Sequence, residues 1–195
     1  MPQVDEEYGE TGVPVELLRK AEIYTHAPWY ALLGVMAYMA YKARDFRKGP
    51  DGMYVMLAAM GFLFVSVVLS NVYHLPSNRY NLPLAKTETI VITTTFVFWM
   101  GIFLYLWHSV GWQAPFQCNS MFGYLMIGVA FCFIYMLYLY TEGTRYKNDN
   151  WTFNDENDEM RYHIMHVQWH IWCSVFTYIF TLGMFIILKC KFHLM

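Results

Sequence analysis

Long runs of apolar residues constrain this chain more than any other feature of its sequence. Runs of about 18 or more apolar residues are long enough for a helix to cross about 30 Å of hydrocarbon. Residues 53–73, 90–107, 121–140 and 163–188 meet this length. A shorter run, 28–41, continues as an amphipathic segment to Arg44, whose long side chain can reach the interface. The sequence therefore predicts an all-α, polytopic transmembrane helix bundle with about five spans.

Composition supports the same fold class. Of the 195 residues, 57% are apolar and only 14% are charged, against roughly a quarter charged in soluble domains. The net charge of -2 gives no reason to expect a nucleic-acid partner. We expect a polar, acidic N-terminal arm over 1–27 and a single transmembrane domain over 28–195. Its predicted spans are about 28–44, 53–74, 88–107, 121–141 and 162–189.

The arm has neither the apolar core of a secretory signal nor the arginine-rich pattern of a transit peptide, so we expect no targeting segment. Pro14 favours a short helix over Val15 to Glu22. We expect this helix to lie along the membrane surface or a partner.

The four cysteines do not follow metal-binding spacing, and the sequence predicts no disulfide framework. Cys132 and Cys173 fall inside spans, where a thiol usually behaves as a small apolar side chain. These residues are therefore expected to pack rather than react.

Five crossings divide the connecting segments between two faces. The arm and the loops 75–87 and 141–162 share the first face, and the loops 42–52 and 108–120 share the second with the C-terminal tail. Acidic residues concentrate on the first face, which suggests that the second face is cytoplasmic or matrix-side. Lys and Arg are divided almost equally, so the orientation rule, which counts these residues, does not decide the matter.

Histidines at the ends of two spans form the main candidate site. His163, His166 and His170 follow an i, i+3, i+7 pattern, which places them on one stripe of the last helix. Two imidazoles one turn apart can share a metal ion, and His74 ends another span on the same face. Three imidazoles leave zinc one open position, in which a bound water becomes acidic enough to act as a nucleophile. We therefore expect a zinc site formed by His74, His166 and His170.

Each residue also has a structural alternative. His163 can be an interfacial residue beside Tyr162, and the three proposed ligands can instead form ordinary interhelical hydrogen bonds. Ser70 lies one turn before His74 and can bond back to the carbonyl group four residues earlier.

Two short motifs carry a resemblance to a known family. The segment SNVYH at 70–74 and the segment HVQWH at 166–170 resemble the paired signatures of the CREST superfamily of membrane hydrolases. This superfamily includes alkaline ceramidases, GPI-anchor remodelling proteins and the myomaker-like branch. Its members typically have more spans than this chain has room for, so the resemblance is to a reduced or divergent member.

The resemblance implies that His74, His166 and His170 bind zinc and that Ser70 positions water or the developing oxyanion. Family members place an aspartate at the start of the next span to assist proton transfer. Here the nearest carboxylate is Glu88, which would serve as the proton shuttle. A solvated carboxylate stabilised by the start of the helix is the alternative.

The sequence therefore leaves two classes of function open. The first is a zinc-dependent hydrolase of an amide or ester bond in a membrane lipid. The second is a non-catalytic accessory subunit that contacts other membrane subunits, for example in a mitochondrial respiratory complex. A b-type haem held between His74 and a histidine of the last helix is a less favoured cofactor. The organelle is open between the mitochondrial inner membrane and the endomembranes.

Overall fold

The regular structure of this chain is helical. The computed structural model describes residues 14–43, 51–78 and 81–191. In chain order the helices are α1 (Val15–Tyr24), α2 (Ala27–Ala43), α3 (Asp51–Tyr73), α4 (Leu82–Val110), α5 (Ala114–Cys118), α6 (Phe122–Thr144) and α7 (Glu156–Lys191), with a short 3-10 turn at Pro76–Asn78. The predicted all-α fold class is confirmed.

Four helices in the described part of the chain are long and apolar enough to cross a membrane. They cover Met53–Tyr73, Leu82–Val110, Phe122–Thr144 and Glu156–Cys190. The remaining predicted span is α2, whose 17 residues extend about 25 Å. The chain is thus a membrane-integral helical bundle, and the expectation of about five spans is close. Arg44, whose side chain the sequence predicts to reach the interface, lies outside the described residues.

Helix α7 occupies the centre of the bundle and packs against α1, α2, α4, α5 and α6. In its most apolar stretch 61% of the residues are buried, against 22–33% in the other three membrane-length helices. Phe180 of α7 contacts Trp99 and Phe103 of α4 through aromatic rings. Because α7 has protein on most sides, its polar residues must find partners inside the bundle.

Helices α4 and α7 begin earlier than the predicted spans. The side chain of Asn81 accepts a hydrogen bond from the Leu84 N–H at 3.1 Å and so caps α4. Asp155 Oδ1 accepts one from the Asp158 N–H at 2.8 Å at the start of α7. The apolar runs predict only the part of each helix that lies in hydrocarbon, whereas the capping residues extend both helices into the polar layer. Glu88 consequently lies within α4 rather than at its start.

Helix α1 confirms the short helix predicted after Pro14. It packs against α7 with Val15 and Glu22 buried, and Arg19 forms an ion pair with Glu159 of α7. The helix therefore packs on the rest of the bundle. Residues 1–13 of the predicted arm lie outside the described residues.

A disulfide corrects the cysteine prediction. Cys118 at the end of α5 is bonded to Cys190 near the end of α7, 72 residues later, whereas Cys132 and Cys173 are free and buried as expected. Spacing along the chain could not show this bond, because the two helix ends meet only in the fold. Disulfides persist in oxidising compartments, so this bond opposes the assignment of the second face to the cytoplasm or matrix.

We expect Cys118→Ser to lower the free energy of unfolding by about 4 kcal/mol, because the bond closes a long loop in the unfolded chain. Thermal unfolding in detergent would measure the loss. Gln117→Ser, at an exposed position of the same helix, is the matched control. Alkylation of Cys118 and Cys190 without prior reduction would contradict the prediction.

Candidate metal centre

The structure brings together the three histidines predicted as ligands. His74 follows the end of α3, and His166 and His170 lie one turn apart on α7. His166 Nε2 lies 3.4 Å from His74 Nε2 and 3.0 Å from His170 Nε2. His166 Nε2 thus lies close to the same ring nitrogen of both other residues.

These distances fit a zinc ion. Zinc–nitrogen bonds of 2.0–2.1 Å in a tetrahedron place neighbouring ligand nitrogens about 3.3 Å apart. His74 Nδ1 faces a carboxylate and therefore carries the proton, which leaves its Nε2 with a lone pair. A cation would accept the lone pairs of these nitrogens, whereas without one a proton on a ring nitrogen makes the interhelical hydrogen bonds expected as the alternative. The donor set is therefore chemically suited to a divalent metal.

Glu22 of α1 supports the cluster from behind. Its carboxylate accepts hydrogen bonds from His74 Nδ1 at 3.2 Å and from His163 Nδ1 at 2.6 Å. Burial raises the pKa of Glu22, but the imidazoles of His166, His163 and His74 outweigh this and hold the pKa well below its usual range. A carboxylate behind a ligating histidine fixes the ring and increases its basicity. His163 therefore positions Glu22 and does not point at the three nitrogens.

A fourth histidine, His26, joins the cluster from the turn between α1 and α2. One ring nitrogen each of His26, His74 and His170 lie within 4.8 Å of one another. However, both His26 nitrogens have other partners, because Nδ1 donates to the Glu22 carbonyl group at 2.8 Å and Nε2 lies 2.8 Å from Ser70 Oγ. Burial and the nearby His74 lower the pKa of His26 to about 4, so its ring is neutral. Because Ser70 contacts His26 Nε2, whereas His166 Nε2 contacts the Nε2 atoms of both His74 and His170, we favour His166 as the third ligand.

Ser70 and Glu88 lie beside the histidines and are buried. Ser70 Oγ is 2.5 Å from Glu88 Oε1 and 2.8 Å from His26 Nε2. The serine thus has these side-chain partners, and Ser66 is the residue that bonds back to the carbonyl group of Phe62. The Ser70 hydroxyl can donate its single hydrogen to only one of these two groups at a time. Both contacts are hydrogen bonds only if Glu88 or His26 carries a further proton. Ser70 can therefore pass a proton between Glu88 and His26. The alternative that Glu88 is a solvated carboxylate is wrong, because its side chain is buried.

Two cavities meet at this site. An apolar cavity of about 340 Å³ lies between α4, α6 and α7 and includes Glu88 and His166 in its wall. A polar cavity of about 280 Å³ is lined by Glu22, His74 and residues of α1. Tyr73, Lys147, Trp151 and Tyr162 line both cavities, and we call these four residues the throat. The candidate centre therefore borders a polar entrance on one side and an apolar space on the other.

Sequence reasoning missed Glu22, His26 and Lys147. The signal for His26 was its position immediately before an apolar run, on the same face as His74 and His163. Glu22 lies four residues before His26, a spacing that would place both on one side of a helix that continued past α1. Lys147 lies in a polar loop, and nothing in its local sequence distinguishes it from a solvated lysine.

Comparisons with protein-family models, curated proteins and solved structures found no match to this chain. The likeness to the CREST superfamily therefore depends on the two motifs alone. The functional interpretation therefore depends mainly on the geometry of the site.

Proposed function

We propose that this chain is a zinc-dependent hydrolase that cleaves an amide or ester bond in a membrane lipid. The observation that carries the proposal is the contact of His166 Nε2 with the Nε2 atoms of His74 and His170, with His166 in the wall of an apolar cavity. The resemblance of the two histidine motifs to membrane hydrolases supports the same reaction class.

The histidines and their supports would hold the metal in a fixed geometry. Zinc held by these three imidazoles would supply an acidified water as the nucleophile. Glu22 orients His74, and the Tyr162 hydroxyl lies 3.3 Å from His166 Nδ1 and orients that ring. Such supports are worth about 10- to 100-fold in metal affinity.

Glu88 is suited to act as the proton shuttle. It lies in the wall of the apolar cavity and is held by Ser70. During hydrolysis the water oxygen bonds to the carbonyl carbon, its proton passes to Glu88, and the carbon–nitrogen or carbon–oxygen bond breaks. Glu88 then returns the proton to the leaving amine or alcohol. Ser70 donates to the carboxylate and keeps it in place, and once Glu88 is protonated the same hydrogen can be donated to the developing oxyanion.

The shape of the apolar cavity favours a lipid chain as part of the substrate. It runs along α6 from Phe133 to Gly143, a length of about 15 Å. This is about half of the hydrocarbon thickness of a bilayer. A chain in this space would bring its polar end to His166 and Glu88.

A haem fits this cluster less well. Axial histidines lie on opposite faces of a porphyrin, whereas the Nε2 atoms here are in contact with one another. This packing favours a small ion over a plate-shaped cofactor. The non-catalytic accessory subunit stays a prediction.

The test is metal content and hydrolysis by the purified full chain. We expect about one zinc per chain, no Soret absorption, and release of fatty acid from an acylated lipid in mixed micelles that stops on chelation and returns with zinc. Absence of zinc from a folded preparation, or turnover that persists after complete chelation, would contradict the proposal.

A further inference from the structure

Lys147 occupies the throat between the two cavities. Its Nζ lies 4.0 Å from the centre of the Tyr162 ring and 4.6 Å from that of Trp151. Two aromatic faces therefore hold the ammonium group by cation–π attraction. This arrangement points the charge at the place where the apolar cavity becomes polar.

The charge of Lys147 is not paired with a carboxylate in the described part of the chain. Arg19, Lys20 and Arg145 each form a salt bridge there, and Lys147 forms none. Burial lowers its pKa to about 8, although Glu22 and Glu88 oppose this shift. A half-buried ammonium group without a counter-ion is costly, and an anionic ligand would reduce that cost.

The nearby carboxylates do not take this role, because other groups already engage them. Glu22 accepts from His74 and His163, and Glu88 contacts Ser70. The positive charge at the throat therefore remains free to meet a ligand.

The apolar cavity also opens to the surroundings of the bundle between α4 and α6. Val97 of α4 and Leu137 and Tyr140 of α6 line the cavity and are 68%, 51% and 43% exposed. At this depth the surroundings are hydrocarbon. A lipid chain can thus enter between α4 and α6, with its polar group directed to the throat.

We infer that the cavity binds a lipid whose polar end carries a phosphate group, and that Lys147 is the specificity-determining residue that recognises it. The inference deepens the proposed function, on which it rests for treating the cavity as a substrate site. Lysine binds phosphate as a compact point charge. The Tyr162 ring contacts both Lys147 Nζ and the His166 ring, so recognition of the phosphate and cleavage of the chain linkage fall to different groups.

The experiment measures binding without turnover. A 1-O-alkyl glycerol phosphate and the 1-O-alkylglycerol with the same chain are titrated into the full chain in maltoside micelles with chelator present, and tryptophan fluorescence reports binding. Because the ether linkage is not hydrolysed, the readout requires neither metal nor activity. We expect the unmodified chain to bind the phosphate lipid about 10- to 100-fold more tightly, the range of a hydrogen bond to a charged group.

Lys147→Gln should lose this preference while its affinity for the alkylglycerol changes by less than about twofold, and Lys147→Arg should keep most of it. Lys20→Gln is the matched control, since Lys20 lines the polar cavity outside the throat and pairs with Glu16. Equal affinity of the unmodified chain for the two lipids, no binding of either, or a preference retained in Lys147→Gln would overturn the inference. A phosphate preference without zinc or hydrolysis would instead refute the proposed reaction alone.

Discussion

His166→Ala should reduce bound zinc from about one ion per chain to less than about a tenth of that value, because two imidazoles without the third do not hold zinc through dialysis. Mass spectrometry of the purified variant measures the loss. His108→Ala is the matched control, since His108 is exposed at the opposite end of α4. Full zinc content in a folded His166→Ala protein would exclude His166 as a ligand.

Two further variants locate the ligands within the cluster. His26→Ala should keep its zinc, because both nitrogens of His26 contact other groups. Glu22→Gln should weaken zinc binding about 10- to 100-fold by removing the carboxylate behind His74. If His26→Ala loses zinc while His166→Ala keeps it, the alternative set of His26, His74 and His170 is the metal site.

The part of this site that sequence could predict is the part that repeats along one helix. His166 and His170 are one turn apart on α7 in any helical arrangement, and His74 lies at the same depth because the spans alternate in direction. Ser70 follows from its position one turn before His74. These relations depend only on the helix period and on the number of crossings. Neither changes if the predicted helix ends are wrong by a few residues.

The contribution of α1 could not be predicted in this way. The sequence favours a short amphipathic helix, but only tertiary packing decides whether its polar face meets water or buried histidines. Glu22 is buried because His74 and His163 engage its carboxylate, and those partners are far away in the sequence. The Cys118–Cys190 bond has the same cause. Long-range contacts between polar groups leave no periodic signal in a single sequence.

Glu88→Gln is expected to lower the rate of lipid hydrolysis about 100- to 10,000-fold, the range for removing a general acid–base group. Glutamine has nearly the same size and can still accept a hydrogen bond from Ser70, so packing at this buried position is kept while proton transfer is lost. Zinc content should stay unchanged, because Glu88 contacts Ser70 and not the converging imidazole nitrogens. Glu142→Gln, which removes a carboxylate paired with Arg145 at the end of α6, is the matched control and should retain activity. A Glu88→Gln protein that keeps both its zinc and its hydrolytic rate would show that another group moves the proton, and His26 would then be the next candidate because it contacts the same serine.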